Sequence, residues 1–307
     1  MSKGSSRSYR LEDGEKPSAG IERIALGRIE NALDEIGGSG SDGFAESVHE
    51  ARKDLKKVRG VLRLVRDEIG DEPYRRENER FRDAGRVLSG ARDAEVKLET
   101  IDALREHDDE APTKTALRPY IRALERERDE LASEDEERAA LTVRVETELE
   151  AGLAALDDWV PQTDGWQLVG EGLARSYRRG RSRFADSRED PSAENVHEWR
   201  KRAKDLWYHL RILTPVWPEV VGELSDQTHE LTDLLGDHHD LEVLAEDARG
   251  RRDRFDDPED LQELLRAIER RQAELLGSAL ELGERLYAEK PKAFVSRFES
   301  YWSAWRA

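Results

Sequence analysis

The feature that most constrains the fold is that this chain of 307 residues contains one pattern twice. Val48-His49-Glu50-Ala51-Arg52-Lys53 returns 148 positions later as Val196-His197-Glu198-Trp199-Arg200-Lys201. Leu26-Gly27-Arg28 matches Leu173-Ala174-Arg175, and Leu88 to Asp93 with Val96 matches Leu235 to Asp240 with Val243, both at an offset of 147. Ile121 to Arg126 matches Leu265 to Arg270 at 144. Four matches in one order, with offsets drifting by a few residues, mark a duplicated module with loop insertions. The boundary falls between Asp157 and Gly165, around Pro161, and gives modules 1–156 and 157–307.

Within each module, apolar residues recur at three- and four-residue spacing and alternating β-type runs are absent, so the class is all-α. Turn signals at Gly37 to Gly40, Gly70 to Pro73, Pro112, Pro191, Pro215 to Pro218 and Gly236 cut each copy into about four main helices. Antiparallel bundles are the expected architecture. A tail after Pro291, rich in aromatics, predicts a last helix packed on the second module.

One helix of each copy carries a stripe of cations. At about 100° per residue, His49, Arg52, Lys56, Arg59 and Arg63 fall within a sector of roughly 80°, with Lys53 and Lys57 on its edge. Val48, Ala51, Leu55, Val58, Leu62, Val65 and Ile69 occupy a separate apolar sector. The second copy repeats this with His197, Arg200, Lys204, Tyr208 and Arg211 beside a core face of Val196, Trp199, Ala203, Leu206, Leu210 and Leu213. Arg175, Arg178, Arg179, Arg181 and Arg183 form a third cluster on the preceding helix. Net charge is −18, so a general nucleic-acid or membrane-surface binder is not expected, and local basic clusters become informative. Stacked cations repel by a few tenths of a kcal/mol per pair, and a bound polyanion would offset that.

The pattern His-x-x-Arg-Lys-x-x-Lys-Lys-x-Arg-x-x-x-Arg at His49 to Arg63 resembles the CHAD family of histidine-containing α-helical domains. So does His-x-x-Arg-Lys-x-x-Lys-x-x-x-Tyr-x-x-Arg at His197 to Arg211, and Leu88 to Asp93 with Leu235 to Asp240 look like that family's Leu-Gly-x-x-Arg-Asp helix start. The resemblance implies two pseudo-symmetric four-helix bundles around a basic central cavity that binds inorganic polyphosphate. Carried over position by position, the contacts are Arg28, His49, Arg52, Lys56, Arg59, Arg63, Arg175, His197, Arg200, Lys204, Tyr208 and Arg211. Lys53, Lys201 and Arg178, beside these, complete the candidate set. Trp207 stands where the family usually has Arg, and His239 where it often has Arg or Asn, which predicts a weaker grip from the second copy.

Other constellations point elsewhere. Gly236-Asp237-His238-His239-Asp240 suggests zinc or manganese. Adjacent helical residues diverge by about 100°, however, and Asp237 reads better as an N-cap, so no metal is expected. His49 and His197 have only i,i+1 acids, which do not face them, and suit phosphate donors or helix caps better than general bases. Phosphate loops, nucleophile elbows and tunnel-type acidic motifs are absent. Trp159, Trp166, Trp199, Trp207 and Trp217 are expected to pack between helices.

The expected function is therefore non-enzymatic binding of polyphosphate, free or in granules, with no cofactor. An acidic protein segment and a metal-dependent phosphohydrolase are the alternatives from other classes. No membrane span or signal peptide is visible and there is no Cys, so the expected compartment is the cytoplasm. The abundance of acids, with only 11 Lys against 40 Arg, resembles the proteins of salt-loving archaea.

Overall fold

The computed structural model describes residues 7–38, 44–88, 93–133, 135–159, 161 and 163–307, and every regular element among them is helical. The first module supplies α1 (Pro17–Gly37), α2 (Phe44–Leu64), α3 (Arg66–Ile69), α4 (Asp71–Val87), α5 (Asp93–His107), α6 (Arg118–Ser133) and α7 (Asp135–Ala154). After a single turn, α8 (Leu156–Trp159), come α9 (Gln167–Glu189), α10 (Ala193–Leu213), α11 (Pro218–Gly250), α12 (Pro258–Leu286) and α13 (Pro291–Arg306). Helices α1, α11, α12 and α13 open on proline, whose fixed φ suits the first turn and whose missing N–H would have had no helical partner. Gly70, at φ 83°, lets the chain turn from α3 into α4.

Helices α1, α2, α4 and α7 neighbour one another in a ring, and α9, α10, α11 and α12 form a second ring. Both contribute to one continuous apolar core. A separate core lies at the far end, where Ile101, Leu104, Tyr120 and Leu124 of α5 and α6 meet Leu244, Leu264 and Ile268 of α11 and α12. Polar ties reinforce it: Lys97 reaches Asp247 at 2.6 Å and the Tyr120 hydroxyl donates to the same carboxylate at 2.8 Å. This core draws on both sides of the repeat boundary, because α5 and α6 bury their apolar stripes against the other copy.

Two expectations change. The sequence suggests a turn at Gly236 with Asp237 as an N-cap, yet α11 runs unbroken through both. Leu231, Leu235, Leu241 and Leu244 are all buried along it, and that burial outweighs the about 1 kcal/mol that a mid-helix glycine costs. The matching Ser89 to Arg92 of the first copy lie outside the described residues. Of the tryptophans, Trp159 and Trp199 are fully buried and Trp166 packs on Trp302, but Trp217 is 44% exposed, edge-on to Tyr301. The tail helix α13 does pack on α9. It also holds the N-terminal segment, since the Trp305 indole donates to Asp13 and Arg306 to the Glu15 carbonyl.

The site is positioned by how closely α2 approaches the second copy. A Cβ on Gly172 would stand 1.8 Å from the Leu64 carbonyl oxygen, so α9 can meet the end of α2 only through glycine. A Cβ on Gly60 would stand 3.0 Å from Tyr208 Cβ and 2.9 Å from the Tyr9 hydroxyl. His209, 1% exposed, spans the junction. Its Nε2 faces the Gly60 carbonyl at 3.2 Å and its Nδ1 the Ser176 hydroxyl at 3.0 Å. A carbonyl needs a donor, so Nε2 carries the proton in the neutral ring.

Candidate functional site

With their apolar faces buried, α2 and α10 turn their cations toward one another. Arg52, Lys56, Arg59 and Arg63 from α2, and Arg200, Lys201 and Lys204 from α10, line a common cavity of about 650 Å³. Helix α4 adds Tyr74, Asn78, Arg82 and Arg86, spaced by four and so aligned in one row. Arg179 enters from α9 and Arg202 from α10. Eleven Arg or Lys side chains line this cavity against one carboxylate, Asp205, in a chain whose net charge is −18.

The guanidinium groups are oriented by neutral or shared partners. Arg59 donates through Nε to Asn78 Oδ1 at 3.1 Å. Asp205 sits between Arg202 at 2.8 Å and Arg63 at 3.3 Å, and so ties α2 to α10. The Arg200 Nε is buried with no hydrogen-bond partner among the described residues. Next to the main cavity lies a smaller pocket of about 30 Å³ that shares Arg63, Tyr74, Arg179, Arg202 and Asp205 with it and adds Arg66 and Arg175.

Two comparisons bear on this arrangement. The family model described as CHAD domain matches residues 27–249. The chain belongs to the CHAD family. A crystal structure of the CHAD domain from the plant Ricinus communis superposes with a TM-score of 0.58. It shares 16% identity and covers 92% of this chain and 96% of that one, which establishes likeness of fold. A search of curated proteins finds no match.

Of the fifteen candidate residues, eight line the main cavity of this CHAD chain: Arg52, Lys56, Arg59, Arg63, Arg200, Lys201, Lys204 and Tyr208. Arg175 lines only the smaller pocket, where it pairs with Asp67 and donates to the Arg63 carbonyl at 2.8 Å. The other six lie elsewhere. Arg28 is buried on Asp54 at 3.2 Å and also donates to the Arg7 carbonyl, which fastens α1 to α2. Lys53 pairs with Glu50, and Arg178 is exposed away from both pockets. Arg211 packs over the rings of Tyr9 and Trp207 at 5.2 and 5.0 Å. His49 and His197 sit in the second turns of their helices, too far in to cap them. His197 packs at a tilt against His239 with ring centroids 4.4 Å apart and its Nδ1 buried. The third cluster splits, with Arg181 donating to the Tyr287 carbonyl and Arg183 to Asp186, so that Arg179 alone enters the main cavity.

The sequence reading missed Arg82, Arg86, Asn78 and Tyr74. The row Tyr74-Asn78-Arg82-Arg86 was available as i,i+4 spacing, but Glu77, Glu79 and Asp83 between its members hide it in a linear reading.

The crowded cations perturb one another. Lys56 keeps contact with solvent by surface area, yet protein mass encloses its ammonium group. Lost hydration, followed by repulsion from Lys204, Arg52, Arg200 and Arg59, pushes its pKa down to about 7. Burial and then Arg200 lower Lys204, and burial with Arg63 beside it brings Arg59 to about 10. Burial raises the Tyr208 phenol to about 12, so it stays a neutral donor. Burial and Arg200 bring His239 to about 4, and burial lowers His197, leaving both rings uncharged near neutral pH. Asp237 and Asp240, on the same helix turn as His239, are raised by burial. The cations of this cavity are thus held close enough to repel one another.

Proposed function

We propose that this chain binds inorganic polyphosphate in the cavity between α2, α4, α9 and α10, without turning it over. Membership of a family associated with polyphosphate binding supports the reading. The observation that carries it is the lining: eleven cations and one carboxylate in a protein that is otherwise strongly acidic. Polyphosphate is a featureless chain with about one charge per unit. It offers no bases to read, so recognition reduces to spaced cations and forked guanidinium hydrogen bonds. The α2 and α10 stripes then act as pseudo-symmetric halves of one binding wall, since Arg52 and Lys56 correspond to Arg200 and Lys204 and all four line the cavity. Binding without hydrolysis agrees with a lining made of donors, whose one carboxylate is already held by Arg63 and Arg202.

Titration calorimetry with long-chain polyphosphate, run beside a phosphate-release assay with and without Mn²⁺, tests both parts. Saturable binding with no released phosphate is the expected result. Absence of binding, or steady phosphate release, contradicts it. The polymer is the partner whether it is dissolved or at the surface of a cytoplasmic granule.

A further inference from the structure

The cationic space has two compartments of very different size, and the difference has a chemical counterpart in the ligand. The main cavity of about 650 Å³ is large enough for a stretch of polymer and is lined by both Lys and Arg. The adjoining pocket, about 30 Å³, is far smaller and has room only for a compact group. All of its cations are arginines: Arg63, Arg66, Arg175, Arg179 and Arg202.

The inner wall of the small pocket is closed by contacts between helices. Gly172 lies against the Leu64 carbonyl, Arg175 donates to the Arg63 carbonyl, and His209 is fixed between Gly60 and Ser176. Four of the five guanidiniums already contact carboxylates, Arg66 with Asp71, Arg175 with Asp67, and Arg63 and Arg202 with Asp205. Arg179 has no such partner among the described residues, and it stands where the two compartments meet.

An internal unit of polyphosphate has two non-bridging oxygens and one negative charge. The terminal unit has three such oxygens and, with a second ionisation near pH 6, close to two charges at neutral pH. A tight set of forked, permanently charged donors suits the terminal unit better than any internal one.

We propose that the small arginine pocket is an end-group subsite: it seats the terminal phosphate of the chain while the main cavity holds the units behind it. This rests on the reading of the main cavity as a polyphosphate site. Arg179 is the residue that discriminates, because it is the cation left uncommitted at the junction.

The test compares linear hexaphosphate with cyclic hexametaphosphate, which has as many phosphates and no end, by calorimetry on the whole chain. The linear form is expected to bind at least tenfold tighter at pH 7.5. The advantage should shrink below pH 6, where the terminal group takes up its second proton. In R179Q, a change at an exposed position, the two forms should bind within about twofold of each other, both still measurably. With long linear chains, saturation is expected at no more than two proteins per polymer regardless of length. Equal affinity for linear and cyclic forms in the wild type, or occupancy that grows with chain length, overturns the end-group proposal and leaves the cavity reading standing. If neither form nor long-chain polymer binds, both readings fail together.

Discussion

Helices α2 and α10 start from the same motif and end with different duties. Counting forward by 148, Arg52, Lys53 and Lys56 correspond to Arg200, Lys201 and Lys204, and all but Lys53 line the cavity. One turn further the copies part. Arg59 and Arg63 of α2 point into the cavity, whereas their counterparts Trp207 and Arg211 do not line it. Trp207 packs against His229, and the N-terminal segment covers the end of α10. Leu11 donates to the Ile212 carbonyl, the Tyr9 hydroxyl donates to the Lys57 carbonyl, and the Tyr9 ring packs edge-on against Tyr208. Arg211 becomes a cation over aromatic rings instead of a phosphate donor. Gly60 corresponds to Tyr208, and the two pack against each other across the junction. The paired carboxylates are also inverted: α2 joins Asp54 to Lys57, while α10 joins Arg202 to Asp205. A duplicated motif therefore fixes which face is cationic, and what covers that face decides which cations remain available.

The largest effect expected from this comparison is on binding by α2. Changing Arg52, Lys56 and Arg59 together to Gln removes three charge-assisted contacts, each worth about 1.5–3 kcal/mol, so polyphosphate affinity should fall by about a thousandfold or more. The same change at three cavity cations of α10, Arg200, Lys201 and Lys204, should cost less, because Lys201 is also engaged by Glu198. Three Glu substitutions at Arg122, Arg126 and Arg128, exposed on α6, should leave affinity nearly unchanged. Equal losses in all three sets would mean that the ligand senses only bulk charge.

Next in size is the junction. Gly60→Ala places a methyl carbon within 3.0 Å of Tyr208 and Tyr9, and overpacking of this kind costs about 1–3 kcal/mol of stability, to be read from urea unfolding. Gly277→Ala, on α12 with no atom within 4 Å of the new Cβ, should instead stabilise by about 0.5–1 kcal/mol. The same sign for both would remove the close approach of α2 and α10 from the account.

A smaller effect concerns pH. Lys56 titrates near 7 in the empty protein, well below a free lysine, so folding disfavours its charged form. That penalty is complete below pH 7 and fades as pH rises toward the ordinary lysine range, so ligand-free stability from this group increases with pH across that window. Polyphosphate favours the ammonium form. Affinity should therefore decline as pH rises above 7, and calorimetry at pH 8 in buffers of different ionisation enthalpy should show proton uptake. Lys56→Arg should reduce that uptake. The smallest contrast is between Arg63→Gln, expected to weaken binding by about tenfold, and Arg211→Gln, expected to stay within about twofold of wild type.

The faces of α2 and α10 were legible because a 3.6-residue period with one buried side leaves little freedom, and Val48, Ala51, Leu55, Val196, Trp199 and Ala203 are all buried as that period requires. Arg28 and Arg211 matched the family pattern in sequence but are occupied by Asp54 and Tyr9, partners set by tertiary contacts, with Trp207 one turn back on α10 also under Arg211. The continuity of α11 through Gly236 was hidden for the same reason, since packing overrides a local glycine signal. Nor could the core shared by α5, α6, α11 and α12 be read from two similar repeats, because amphipathic stripes state that a face is buried and not which copy buries it.

The central claim, that polymer occupies the space between α2 and α10, is tested most directly by acylating lysines with and without polyphosphate and measuring each site by mass spectrometry. Lys56, with its lowered pKa, should react fastest in the empty protein. It should lose that reactivity with ligand, together with Lys201 and Lys204 on the cavity wall, while Lys53, Lys114, Lys290 and Lys292 keep theirs. Protection spread evenly over all lysines, or concentrated at Lys290 and Lys292, would contradict it.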